Sequence, residues 1–127
     1  MRESKQFDRD RFAEWLGIEL LEQSFDQAIC RVYIGENSRN ALGGIHGGLI
    51  FSLADVAFAC ACNAGQETYI GLQAEIRYMS APKGQVLMAT ATRVGSSRKF
   101  AHYEVVVSDS EQRRIALFTS SAYQLDQ

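Results

Sequence analysis

Residues 47–62 read GGLIFSLADVAFACAC, and only Ser52 and Asp55 among them carry polar side chains. A helix apolar on nearly every face is enclosed by its own domain. At about 1.5 Å per residue the run spans about 24 Å, and it falls short of the ~20 uninterrupted apolar residues that a membrane span needs. The stretch therefore predicts a buried core helix with one charge in it. An ionised carboxylate at Asp55 is costly there without a partner.

The helix start is as unusual as its middle. Gly43-Gly44-Ile45-His46-Gly47-Gly48 leaves the backbone bare where the helix begins, so that a ligand can approach it closely. Free N–H groups backed by the helix dipole form a place for negative charge or a polarised carbonyl. Gly47 and Asp55 are eight residues apart, or about 12 Å along the axis. One reacting carbonyl cannot touch both. If they act together, two copies must set these helices antiparallel across a two-fold axis, Gly47 of one meeting Asp55 of the other.

The 127 residues predict a single domain over 1–127, long enough for a real core. A formal net charge of −2 gives no general pull toward nucleic acid or an anionic membrane. The opening MRESKQFDRDRF is charged and lacks the apolar segment of a secretory signal, so cytoplasmic residence is the expectation. Three cysteines and two histidines show no zinc spacing, and no metal is expected. Cys60 and Cys62 read as small buried hydrophobes.

Ahead of the central helix, Asp8–Leu16 carries Phe12, Ala13, Trp15 and Leu16 at helical spacing and stops at Gly17, predicting a short helix that caps the core from outside. Strands are expected over Ile18–Glu22 and Gln27–Ile34, around a turn at Ser24-Phe25-Asp26. Glu36–Ile45 reads as a polar loop containing Asn40. After the helix stops at Asn63-Ala64-Gly65, Tyr69–Met79 alternates Ile70, Leu72, Ala74, Ile76 and Tyr78 on one face with Gln73, Glu75 and Arg77 on the other. A Pro82-Lys83-Gly84 turn leads into a meander of Gln85–Val94, Phe100–Ser108 and Arg114–Leu125, joined by Ser96-Ser97-Arg98-Lys99 and Asp109-Ser110-Glu111-Gln112. The expected class is α+β, a curved antiparallel sheet wrapped around the long helix.

Asn40-x-x-Gly43-x-x-His46-Gly47-Gly48 followed by Asp55 resembles the hotdog-fold acyl-CoA thioesterases, most closely their PaaI-like, phenylacetate-degradation branch. The likeness extends through FSLADVAFACACN, Tyr78-Met79, the Pro-x-Gly turn and Ala116-Leu117-Phe118. It implies a hotdog homodimer, often paired into a homotetramer, with active sites at the subunit interface and an acyl-CoA as substrate; no further cofactor is implied. Asp55 matches the catalytic carboxylate, nucleophile or general base. Gly47 matches the residue whose N–H polarises the thioester carbonyl, and Asn40 the one that orients thioester or water. His46 and Gly48 match supporting positions. Some relatives place Ser or Thr early in the next strand to position water; Gln73 stands there as a possible substitute. The family places the nucleotide end of the ligand near the region of Ser97, Arg98 and Lys99.

Chemistry agrees with these roles. Thioester hydrolysis builds charge on the carbonyl oxygen, which preorganised N–H donors stabilise by about 2.7–4 kcal/mol each. A carboxylate supplies attack or proton removal. Apolar surroundings raise the Asp55 pKa, and a neighbouring helix N-terminus lowers it. Ser52, one turn before Asp55, is placed to hydrogen-bond either the acid or its own helix. Two competing functions stay open: a non-catalytic acyl-CoA-binding module, which needs no Asp55, and a hotdog hydratase or dehydratase, which needs a His working inside the site.

Overall fold

The computed structural model describes residues 5–126. Its centre is α3, Gly47–Cys62, on the predicted boundaries. Ahead of it come α1 (Lys5–Asp8), α2 (Arg11–Leu16), β1 (Glu19–Gln23), β2 (Gln27–Tyr33) and a single 3-10 turn at Glu36–Ser38; after it come β3 (Tyr69–Tyr78), β4 (Val86–Ser97), β5 (Phe100–Ser108) and β6 (Arg114–Gln124).

The helix expected over 8–16 divides at Asp10. Asp10 is extended (φ −81°, ψ 93°) and its Oδ1 accepts from the Ala13 N–H at 2.9 Å. An Asp in that geometry is a strong N-cap, and it restarts the helix at Arg11. Gly17, at φ 81°, ends α2 in the left-handed region as predicted.

The strands form one antiparallel sheet in the order β1-β2-β4-β5-β6-β3. The last three strands make the expected meander, whereas β3 crosses over to pair with β6 and takes the far edge. β4 extends through Ser97, so the predicted four-residue connection shrinks to Arg98-Lys99, with Ser97 opposite Phe100 and Arg98 at φ 38°.

α3 lies on the inner face of the sheet. Leu53, Ala54, Ala57, Phe58 and Ala61 bury against Cys30, Val32, Leu87, Tyr103, Val105 and Phe118. The alanines bring the helix axis close to the sheet, and Phe58 meets Tyr103 edge-on at 5.7 Å. All three cysteines are free thiols in this core, and burial pushes the Cys62 thiol up to about 12.

Strict alternation along β3 fails. Leu72 is an extra residue between the pairs Gly71–Ala122 and Gln73–Ser121, and such a bulge shifts the alternation by one: Ala74, Ile76 and Tyr78 beyond it pair with the buried Ser120, Phe118 and Ala116 on the inner face, whereas before it Gly71, and not Ile70, takes that face opposite Ala122. Ile70, Leu72 and Tyr78 are exposed, and Ile76 alone of the predicted inner set packs on the core cluster. Where β3 passes α3 the backbone comes close: a Cβ on Gly71 would lie 3.2 Å from the Phe58 ring.

Candidate active site

The start of α3 is fixed by His46. Its backbone is extended (φ −65°, ψ 130°), and its Nδ1 accepts from the Gly48 N–H at 2.8 Å. An imidazole that accepts at Nδ1 carries its proton on Nε2. The His46 carbonyl takes the N–H groups of Leu49 and Ile50. Among the described residues, that leaves the Gly47 N–H without an acceptor. Both glycines have steric reasons. A Cβ on Gly48 would lie 2.9 Å from His46 Nδ1, and one on Gly47 would lie 3.3 Å from the ring and hydroxyl of Tyr78. Tyr78 donates its hydroxyl to the Gly47 carbonyl at 3.2 Å. This link from the end of β3 to the helix start is long-range, and nothing near Tyr78 in the sequence announces it.

Asn40 organises the preceding loop. Its Oδ1 accepts from Leu42 at 2.9 Å and Gly44 at 3.0 Å, while its backbone exchanges bonds with Gly43 and Gly44. Gly43 supplies the φ of 87° that the turn requires. The carboxamide oxygen is thus occupied by the loop, and the amide nitrogen has no partner among the described residues.

Asp55 is not the buried acid that composition implied; it is exposed. Gly48, Ser52, Asp55 and Ala59 follow helical spacing along a stripe of α3 that is partly or fully open. Composition cannot reveal the stripe, because its other members are as small as core residues. The Asp55 carboxyl still sits above the usual carboxylate range, from partial burial first and then from Asp10 nearby. Beside it opens a hollow of about 390 Å³ walled by Asp55, Phe58, Gly71, Gln73 and Ser120. Gln73 borders this hollow, but it is paired with Ser121 and alternates with the inward Ala74 and Ile76, which puts its side chain on the outer face of the sheet; Gly71 is the residue of β3 that faces α3 there, so the expected substitute for a water-positioning Ser or Thr is not found at Gln73. Ser120 donates to the Gln73 carbonyl at 2.7 Å and holds the strand in place. Ser52 is half-buried and makes neither predicted bond; its hydroxyl has no partner among the described residues. One chain thus gathers Gly47, Gly48, His46 and Tyr78 at one end of the stripe, and Asp55 beside Phe58 and Gly71 two turns along.

The family model of the thioesterase superfamily matches residues 42–116. The chain belongs to the thioesterase superfamily. A relative from Archaeoglobus fulgidus is 33% identical over 122 residues, 95% of this chain and 79% of its own. The acyl-coenzyme A thioesterase PaaI of Escherichia coli is 27% identical over 120 residues, 94% of this chain and 86% of its own. The solved structure of the E. coli PaaI protein from the phenylacetic acid degradation operon superposes with a TM-score of 0.90 at 25% identity, covering 95% of this chain and 88% of that one. This superfamily member is a thioester hydrolase of the hotdog fold.

In this thioesterase the basic turn lies apart from the Gly47 end. Ser97 pairs with Phe100, Phe100 with Tyr123, and Tyr123 with Ile70, which places the turn where β3 begins, on the side of the Asp55 hollow. Lys99 is paired with the Asp126 carboxylate, and the exposed Arg98 has no side-chain partner among the described residues. A second, larger cavity of about 600 Å³ lies at the start of α3, between α2 and the 3-10 turn, and His46, Gly48 and Leu49 help to line it. Phe12 and Trp15, expected only to cap the core from outside, also line this cavity. Among the described residues no group of three or more His, Cys, Asp or Glu is placed to hold a metal ion, and no helix is long and apolar enough to cross a membrane.

Proposed function

We propose that this thioesterase hydrolyses an aryl- or medium-chain acyl-CoA to the free acid and CoA, at sites shared between two copies of the chain. One observation carries the reading: the unpaired Gly47 N–H stands at the start of α3, where the open stripe that carries the Asp55 carboxylate begins, about 12 Å away along the axis. Stacking two such stripes antiparallel brings the N–H of one copy to the carboxylate of the other, twice. The coenzyme A part of the reading comes from the E. coli relative's description as an acyl-coenzyme A thioesterase.

At each site the Gly47 N–H receives the thioester oxygen as charge builds on it. Asp55 then acts by one of two routes. As a nucleophile it attacks the carbonyl, expels the CoA thiolate and leaves an anhydride that water opens. As a general base it takes a proton from water while the hydroxide attacks, and the thiolate leaves with that proton. Asn40 offers its amide nitrogen to substrate or water, and His46 holds the N–H array in place. Arg98, with Ser97 and Lys99, takes CoA phosphate.

Support for the dimer comes from β3. It is a long edge strand, and Ile70, Leu72, Tyr78 and Met79 are exposed on or just after it. An open edge of that kind is a template for a second strand. Joining two β3 edges covers the α3 stripe as well, and a homotetramer follows by pairing dimers. His46 already caps a helix through Nδ1, which counts against a hydratase role for it.

The test is release of free thiol from a panel of aryl- and alkyl-acyl-CoAs by the wild type and by Asp55→Asn, with a no-substrate blank for the protein's own cysteines and light scattering for the assembly. A loss of about a hundredfold or more in a still-folded mutant is expected. Turnover indifferent to the substitution, or no turnover, sinks the catalytic role of Asp55 and favours an acyl-CoA-binding module.

A further inference from the structure

We propose that Tyr78 is a positioning residue for hydrolysis: its hydroxyl and ring hold Gly47 so that the Gly47 N–H stays aimed at the thioester oxygen. The role deepens the hydrolase reading and rests on it, since that reading makes the Gly47 N–H the donor.

The donor needs a hold from outside its own turn. Its N–H belongs to the peptide between His46 and Gly47, which is pinned at the His46 carbonyl by the N–H groups of Leu49 and Ile50. Gly47 itself has no side chain, and glycine has the most conformational freedom to lose. Tyr78 fills that gap from across the fold. Its ring and hydroxyl stand 3.3 Å from the place of the missing Cβ, and the hydroxyl donates to the Gly47 carbonyl at 3.2 Å. The two peptide planes that meet at Gly47 are then both held, one through His46 and the other through Tyr78.

The anchor is firmer than what it holds. Just past Tyr78, the N–H groups of Met79 and Ser80 both donate to the Ile115 carbonyl, at 2.8 and 3.3 Å, and the Ser80 hydroxyl donates to the Arg114 carbonyl at 2.9 Å. The bulge sets which way Tyr78 faces. Gly71 and Tyr78 are seven residues apart, so a regular strand would turn them to opposite faces. With Leu72 as the extra residue both face α3: Gly71, opposite Ala122, lies against Phe58, and Tyr78, opposite Ala116, lies against Gly47. The buried Ser120 donates to the Gln73 carbonyl at 2.7 Å, directly after the bulge, and locks that register. One strand thereby reaches the Asp55 hollow and the oxyanion donor together.

Stability does not account for Tyr78. Its ring is exposed and adds little to the core, and a single hydrogen bond open to water adds little more. What a fixed hydroxyl does supply is aim. A donor held in place acts on charge that appears only in the transition state, so its loss shows in kcat and not in KM.

Wild type and Tyr78→Phe are compared in thiol release from phenylacetyl-CoA and octanoyl-CoA, at a temperature where both are folded. Spectra of protein labelled with ¹⁵N-glycine give a second reading, since the chain has ten glycines and Gly47→Ala identifies the signal of Gly47. The expected result is a fall in kcat of about tenfold or more with KM within about twofold, and a Gly47 signal that moves while those of Gly17 and Gly95 stay. A lower melting temperature with kcat unchanged makes Tyr78 merely structural and overturns the proposal. A rise in KM at unchanged kcat also overturns it, by making Tyr78 a substrate contact, and so does a Gly47 signal that the substitution leaves unmoved. The two readings fail separately. No thiol release from the wild type sinks hydrolysis and the role of Tyr78 with it, whereas Asp55-dependent release at a kcat untouched by Tyr78→Phe sinks the role of Tyr78 alone.

Discussion

His46 Nδ1 accepts the Gly48 N–H at 2.8 Å, and a Cβ added to Gly48 would lie 2.9 Å from that same nitrogen. The side chain that caps the central helix therefore occupies the space a side chain at residue 48 would need. His46→Ala is expected to cost about 0.5–2 kcal/mol of stability, the usual worth of an N-cap. Gly48→Ala should cost a similar amount alone and less in the His46→Ala background, where the clash is gone. Thermal melts of the four proteins in this double-mutant cycle measure the coupling, and full additivity would refute it.

Tyr78 holds the other side of the same turn. Tyr78→Phe removes its hydrogen bond to the Gly47 carbonyl but keeps the ring, so a loss of about 0.5–1.5 kcal/mol is expected. Gly47→Ala places a methyl 3.3 Å from that ring. It should lower kcat more than it lowers the melting temperature, because the displaced N–H is the proposed oxyanion donor. Equal loss in both would mark Gly47 as structural only.

Asp55 has its pKa raised, by partial burial first and then by Asp10. The folded protein thus holds this proton to higher pH than the unfolded chain, and ionising Asp55 subtracts stability as pH rises past the ordinary value of 3.8. Asp55→Asn should melt higher than the wild type at neutral pH and equally well below about pH 3. Asp10→Asn keeps the α2 cap, since asparagine caps as well as aspartate, and removes the charge. It should move the acid limb of the kcat/KM profile to lower pH, and an unmoved limb would disprove the coupling.

Asp109 shows the opposite sign. Burial alone would raise its pKa, but hydrogen bonds from the N–H groups of Lys83, Arg113 and Glu111 and from the Arg113 guanidinium outweigh that and hold it at about 2. Its stabilisation is complete above the unfolded value near 3.8 and disappears as pH falls through about 2. Asp109→Asn should melt lower at pH 7, and the gap should close toward pH 2, with kcat unchanged at temperatures where both are folded. Scanning calorimetry from pH 7 to 2 checks this.

Much of the fold was legible because local patterns carried it. The Gly47–Cys62 run gave a helix with correct ends, and the alternating segments gave six strands in roughly the right places. Gly47, Gly48 and Asp55 stood out because bare glycines open, and a charge interrupts, an apolar run where a buried helix has no need of them; Asn40 and His46 stood out through the motif shared with relatives. Gln73 was proposed only by analogy with relatives, and the bulge at Leu72, which no local pattern announces, puts Gly71 and not Gln73 on the face toward Asp55. Phe12 and Trp15 were read as cap residues, because a short amphipathic helix over a core looks the same from sequence whether or not a cavity lies beneath it.

By itself the sequence determined the helix, the strand segments, the glycine-rich helix start and the single acid, all set by short-range chemistry: apolar period, capping and backbone freedom. Tertiary structure alone decided that β3 crosses to the edge beside β6, that a bulge at Leu72 shifts its alternation by one, that Tyr78 reaches Gly47, and that Asp55 stands on an open stripe instead of in the core. Those features arise from pairings between residues tens of positions apart. The free energy that selects them comes from packing surfaces that exist only once the sheet has closed around α3.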